Sequence, residues 1–126
     1  MSIFLTGSSG FVGKNIVSYF GKEFAINKYK RGSVISIQED IVIHLAGKAH
    51  DLKKVNTDTD YYLVNTELTK QVFDSFISSK AKVFITLSSV KAVADELDSE
   101  LTEDHIPNPV THYGKSKLNA EEYILS

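Results

Sequence analysis

The stretch Thr6-Gly7-Ser8-Ser9-Gly10-Phe11-Val12-Gly13 limits this chain to a small number of folds. Its glycines fall at every third position, after the apolar run Ile3-Phe4-Leu5 and before a helix-like pattern. A glycine triplet between a strand and a helix is the setting in which such a loop cradles the pyrophosphate of a dinucleotide. One glycine serves a tight turn, one lets the backbone approach the pyrophosphate, and one lets the helix pack closely on the strand. The helix then turns its free N–H groups and the positive end of its dipole toward the phosphates, so no lysine is needed. A turn merely rich in Gly and Ser is the competing reading, and the flanking strand and helix favour the cradle.

Further along, Val12, Ile16, Tyr19 and Phe20 recur at helical spacing, and Gly21 is the stop. Residues 24–29 then alternate like a strand. At the end of the second strand of a dinucleotide fold an acidic residue grips the adenosine 2′-hydroxyl. Here Lys28, Lys30 and Arg31 follow instead, which suit the 2′-phosphate of NADP or form a solvated basic turn. Residues 33–37 read as another short strand. The run Ile41-Val42-Ile43-His44-Leu45-Ala46-Gly47 is continuous and apolar, as in a strand buried on both faces of a parallel sheet. Leu45, Ala46 and Gly47 close that strand at its carboxyl end, where open α/β sheets bind their ligands, and the small pair leaves room there. His44 reads as a packed core residue, since His50, His105 and His112 stand at no metal-binding spacing from it. Residues 48–60 are polar and read as a loop, with Lys48, His50, Lys53 and Lys54 either close to the cofactor or on a solvated rim.

Over residues 60–79, Tyr61, Val64, Leu68, Val72 and Phe76 form an apolar stripe, and Tyr62, Phe73 and Ile77 widen it into a broadly buried helix. Asn65 lies on that stripe. A buried amide must find partners, so Asn65 either ties the helix to a neighbouring backbone, the favoured role, or reaches an active site. Residues 82–87 form the next strand, ending in Ser88-Ser89. The alternation of strands and helices predicts a doubly wound parallel α/β sheet, Rossmann-like, in a single dinucleotide-binding domain spanning residues 1–126. Residues 90–110 lack periodicity and are rich in acids, which marks a long functional or mobile loop.

The remaining bulk properties exclude several classes. A formal net charge of −2 argues against a nucleic-acid surface. The absence of cysteine excludes disulfides, iron–sulfur clusters and thiolate zinc sites, and no metal site is expected. No apolar run approaches the roughly 18 residues of a membrane span, so the chain reads as cytoplasmic.

Tyr113, Lys117, Ala120 and Ile124 share one face of a last helix. A phenol with a pKa of about 10 is a poor base at neutral pH, and a cation held near it stabilises the phenolate. Tyr113 could then move a proton while hydride passes to or from a nicotinamide. Lys117 could also donate to ribose hydroxyls, and Ser89 could hold the substrate hydroxyl. Tyr-x-x-x-Lys occurs by chance on many amphipathic helices, but here it follows two other motifs in the right order.

Taken together, Thr6 to Gly13, His44-Leu45-Ala46-Gly47, Phe84-Ile85-Thr86-Leu87-Ser88-Ser89 and Tyr113-Gly114-Lys115-Ser116-Lys117 resemble the front part of the extended short-chain dehydrogenase/reductase family, in its NAD-dependent epimerase/dehydratase group. The resemblance covers nearly the whole sequence. It implies catalysis by Ser89, Tyr113 and Lys117. It implies cofactor contacts at Gly7, Ser9, Gly10, Phe11, Val12, Gly13, Arg31, Leu45, Ala46, Gly47, Asn65, Tyr113 and Lys117. The cofactor would be NAD or NADP, with NADP favoured by Lys28, Lys30 and Arg31. It further implies a nucleotide-sugar substrate and a homodimer built on the helices of residues 60–79 and 113–126. The sequence departs from the family in lacking the acidic ribose ligand and in its short connection from the second strand to His44. Val93-Ala94-Asp95 stands where Val-Tyr-Gly often follows the catalytic Ser, and the family continues into a substrate-binding domain. The chain is therefore expected to be the cofactor-binding part of an epimerase, dehydratase or reductase, incomplete at its carboxyl end and inactive alone. The alternative is a non-enzymatic dinucleotide-binding or sensor module.

Overall fold

A computed structural model describes residues 1–49 and 58–126. The chain divides into two compact units, one of Met1–Gly47 with Gln71–Leu87 and one of Lys48–Lys70 with Ser88–Ser126.

The first unit is a parallel sheet. Its strands are β1 (Ser2–Thr6), β2 (Ala25–Lys28), β3 (Ile41–His44) and β4 (Val83–Thr86), in the order β2-β1-β3-β4. All three pairings are parallel. From β1 the chain steps first to one side and then to the other, so the strand order reverses between β1 and β3. At such a reversal the carboxyl ends of the strands open a crevice. The glycine loop leaves one of those two strands and Leu45-Ala46-Gly47 leaves the other.

Strand pleating sorts the apolar residues onto two faces. On one face Ile3, Leu5 and Ile43 are buried and packed by Ile16, Val17, Phe24, Ile26, Ile41 and Leu45. Helix α1 (Phe11–Phe20) supplies Ile16 and Val17, and its inward face runs through Gly13. The expected stripe of Val12, Ile16, Tyr19 and Phe20 is therefore rotated in the structure: Val12 is 41% and Tyr19 79% exposed. Close packing at Gly13 sets that rotation, because residues three and four positions on from it share its face. On the other face Phe4, Val42 and Phe84 lie in register. There Phe84 meets Phe73 and Phe76 with ring centroids 5.1 and 5.2 Å apart.

Residues 33–37 form no strand. Parallel strands require a connection of about a dozen residues, and residues 29–40 are the whole of it here. The run must return about 13 Å along the sheet and cross about 10 Å past β1, which leaves no segment to lie parallel to a neighbour. Alternation of Val34, Ile35 and Ile37 instead leaves Val34 exposed and Ile37 buried. The return run borders a cavity of about 440 Å³ shared with Ser75, Ser78, Ser79 and Lys80. Its end is fixed at the sheet: Ser2 N–H donates to Asp40 Oδ2 at 2.8 Å, and Lys82 N–H donates to the Asp40 carbonyl at 2.8 Å. The Ser2 backbone N–H holds the Asp40 carboxyl below its ordinary value.

The central helix runs as α2 (Asp58–Tyr61), a π-helical segment (Tyr62–Glu67) and α3 (Leu68–Ile77). Val72 is fully buried as expected, whereas Ile77 lies exposed on the outer side. In the second unit a 3₁₀ turn (Val90–Ala92) and α4 (His112–Leu125) flank the long acidic segment.

Phe84→Ala should lower stability by about 2–3 kcal/mol, because it empties the aromatic contact with Phe73 and Phe76. Ile85→Ala, on the exposed side of the same strand, should cost less than about 1 kcal/mol. Urea denaturation followed by circular dichroism separates the two.

Candidate functional site

In the first unit the three loop glycines divide their work. Gly7 has φ +71°, and a Cβ there would lie 2.6 Å from the Leu45 carbonyl carbon and 2.7 Å from Ala46 N. Gly13 is pressed onto the loop, since its Cβ would overlap the Gly7 carbonyl oxygen and lie 2.7 Å from Ser8 Cα. Gly10 differs from both. A Cβ on it would find only the Gly7 oxygen, at 3.4 Å. The fold itself demands glycine at 7 and 13, while the bareness of position 10 serves nothing within the described chain.

Gly10 is also the N-cap of α1, and its N–H donates to the Gly7 carbonyl at 3.1 Å. No side chain caps this helix and no acid stands in its first turn. Free N–H groups beside an open backbone fit a pyrophosphate. Ser9, Phe11 and Val12 are exposed at the rim, as are Lys28 at the end of β2 and Lys30 and Arg31 beyond it.

Thr6 joins the two strand ends. Its Oγ1 accepts from Leu45 N at 3.1 Å and Ala46 N at 3.0 Å, and lies 2.7 Å from His44 Nδ1. Both lone pairs of the hydroxyl are then occupied, so its proton goes to Nδ1 and His44 is assigned as the neutral Nε2–H tautomer. His44 is a packed residue, as expected. Thr6 carries a role that its position at the head of the motif did not reveal.

In the second unit Asn65 is 1% exposed and sits in the π-helical segment. Its Oδ1 accepts from Lys48 N at 2.7 Å, and its Nδ2 donates to the Lys48 carbonyl at 2.9 Å and to Ser116 Oγ at 3.0 Å. The amide ties the helix to neighbouring backbone in the manner expected. Thr66 Oγ1 donates to the Ser116 carbonyl at 2.8 Å, so helix α4 is held at this point twice. Lys48 pairs with Asp60 at 3.6 Å, while His50, Lys53 and Lys54 lie outside the described residues.

Tyr113 and Lys117 lie one turn apart on α4, both half-buried. The Tyr113 ring meets Tyr61 edge-on at 6.3 Å. Burial pulls the Lys117 ammonium below its ordinary pKa, and the Glu121 carboxylate acts in the opposite sense. Ser89 Oγ accepts from Lys91 N at 3.1 Å, which leaves its proton to donate, whereas Ser88 donates to Glu121.

Asp95 fastens the acidic segment of residues 90–110 to the start of α4. The Asp95 carboxylate accepts from Val110 N at 2.6 Å, Thr111 N at 3.0 Å and Thr111 Oγ1 at 2.8 Å. Thr111 in turn caps α4, accepting from Gly114 N at 3.1 Å. These bonds, the Thr111 backbone N–H foremost, hold the Asp95 carboxyl below its ordinary value of 3.8. Asp95 thus positions the start of the helix that bears Tyr113, a task that composition alone hid among the six acids of this segment.

The sequence profile of the NAD dependent epimerase/dehydratase family matches residues 25–126. The chain belongs to that family. It is similar to a GDP-6-deoxy-D-talose 4-dehydrogenase of Aggregatibacter actinomycetemcomitans, 31% identical over 141 residues, covering 98% of this chain and 47% of the relative. It is also similar to a UDP-glucose 4-epimerase of Vibrio cholerae, 30% identical over 154 residues, covering 99% and 46%. The chain spans about half the length of these curated relatives. The fold matches MoeE5 in complex with UDP-glucose and NAD at a TM-score of 0.82, with 20% identity over 99% of this chain and 48% of the other. The UDP-glucuronic acid 4-epimerase of Bacillus cereus in complex with NAD gives 0.80, with 20% identity over 98% and 50%. The parallel Rossmann-like architecture is thereby that of the epimerase/dehydratase family. Among the described residues, no helix is long and apolar enough to cross a membrane.

Two outcomes test this geometry. Gly13→Ala should destabilise by about 2–3 kcal/mol through overlap with the Gly7 carbonyl, while Gly10→Ala should cost less than about 1 kcal/mol, both read from urea midpoints. The depressed Asp95 pKa contributes stability that is complete above its unfolded value and is lost as pH falls through the folded one. Asp95→Asn should therefore flatten the loss of stability below about pH 4 in an acid titration followed by circular dichroism.

Proposed function

We propose that this chain is the NAD(P)-binding part of a nucleotide-sugar epimerase, dehydratase or reductase that works through Ser89, Tyr113 and Lys117. The open backbone at Gly10, beside a helix end without a side-chain cap and between two sterically closed glycines, carries the reading. Gly7, Ser9, Gly10, Phe11, Val12 and Gly13 receive the pyrophosphate, and Leu45, Ala46 and Gly47 border the cofactor along the neighbouring strand end. Arg31, with Lys28 and Lys30, meets the adenosine ribose and favours a 2′-phosphate. Asn65 contributes by holding the Lys48 backbone in place.

When bound, the nicotinamide supplies the acceptor or donor of hydride. Tyr113 takes the proton from a sugar hydroxyl or returns it. Lys117, beside it on the helix, stabilises the phenolate and donates to ribose hydroxyls. Ser89 donates its remaining proton to the same sugar oxygen. The relatives named for GDP- and UDP-linked sugars support a nucleotide sugar as the substrate of the complete protein. A cytoplasmic homodimer through the helices of residues 60–79 and 113–126 completes the reading.

The alternative reading is a dinucleotide-binding module without turnover. Calorimetric titration with NAD, NADH, NADP and NADPH tests the shared premise. Binding is expected, tighter for the phosphorylated pair, and should weaken at least about tenfold in Gly10→Val with the fold retained. No heat with any of the four would remove both readings. Tyr113→Phe separates them, since it should abolish hydride transfer or genetic complementation in an enzyme and leave a sensor unaffected. Sedimentation at micromolar concentration should give a dimer.

A further inference from the structure

We propose that Glu121 is a positioning residue, tying the Ser88-Ser89 segment to α4 and fixing the Lys117 side chain one turn before it. The role assigned to Glu121 rests on the reading of Ser89 and Lys117 as site residues.

The Glu121 carboxylate accepts the Ser88 hydroxyl from across the unit. It also stands four residues after Lys117, on the same face of α4. Helix stability does not explain it there. A cation followed by an anion four residues later is the poorer order for such a pair, and a carboxylate toward the carboxyl end of a helix opposes the dipole. Its partners outside the ordinary helix pattern do explain it. Partial burial disfavours the Lys117 ammonium, and the Glu121 charge restores part of what burial removes.

The neighbouring serines are thereby given different tasks. Ser88 spends its proton on Glu121, which fixes the backbone of the Ser88-Ser89 segment. Ser89 accepts the Lys91 N–H and keeps its proton for another oxygen. One carboxylate thus anchors the segment bearing the hydroxyl donor and preserves the charge beside the phenol.

The test uses the unliganded 126-residue chain, so a failure of cofactor binding is a separate result. Lysine side chains labelled with ¹³C are titrated by NMR, with Lys117 assigned through Lys117→Arg. Glu121→Gln, which keeps an acceptor for Ser88, should lower the Lys117 midpoint by about half a pH unit or more. Ser88→Ala should leave the midpoint in place and speed hydrogen exchange at the Ser89 amide several-fold. A lower melting temperature in Glu121→Gln with an unmoved Lys117 midpoint would make Glu121 a scaffold residue and overturn the proposal. Unchanged Ser89 exchange in Ser88→Ala would do the same.

Discussion

The hydroxyl of Thr6 carries more of this structure than its size suggests. Two lone pairs take the N–H groups of Leu45 and Ala46, and the proton goes to His44, so one atom bridges the carboxyl ends of β1 and β3 beside the backbone bond from Leu45 N–H to the Thr6 carbonyl. Gly7 follows in a left-handed turn and lies against the Leu45–Ala46 peptide at distances that no side chain could tolerate. Gly13 then seats α1 on the same loop. Each contact presupposes the one before it, because a shifted strand end would move the turn, and a shifted turn would unseat the helix. What emerges is a fixed backbone with one bare position, Gly10, above a helix that has no side chain closing its N-terminus.

The second unit reaches rigidity by other means. Small polar side chains, rather than large apolar ones, hold its helices. Ser116, fully buried, accepts from Asn65 and donates to the Tyr113 carbonyl, and Thr66 takes the Ser116 carbonyl. Asp95 and Thr111 set the first turn of α4. Buried polar networks hold a unique geometry only when every member is satisfied, and no buried side-chain nitrogen or oxygen among the described residues lacks a partner. Tyr113 and Lys117 are consequently carried on a helix whose depth and rotation are specified by hydrogen bonds on both sides of them.

Much of this was legible in the residues themselves. The strands announced themselves as runs such as Ile41-Val42-Ile43, whose continuity reflects burial on two faces, and the glycine triplet located the turn. His44 and Asn65 behaved as buried polar groups must. The sequence was less informative wherever geometry between distant residues decides the outcome. Residues 33–37 carry strand-like composition, but pairing depends on whether a neighbour is within reach, and the short return to β3 removed that chance. Val12 and Tyr19 fit a helical period, yet the inward face was set by contact at Gly13. Asp95, Glu121 and Thr6 act through partners 15 to 40 positions away, so no local pattern marks them.

The brevity of residues 29–40 has a bearing on how such a chain can change. A connection already near the shortest span that joins two parallel strands tolerates deletion badly, since the ends of β2 and β3 are fixed by their ladders to β1. Lengthening it is another matter: the entropy of closing a loop grows only with the logarithm of its length, by roughly 0.6 kcal/mol per doubling. Alignments running over 141 and 154 residues show that relatives carry material within the matched span that this chain lacks. The return run is thus a one-way margin, a place where this scaffold can accept added sequence, a helix included, while its sheet order and glycine loop stay as they are.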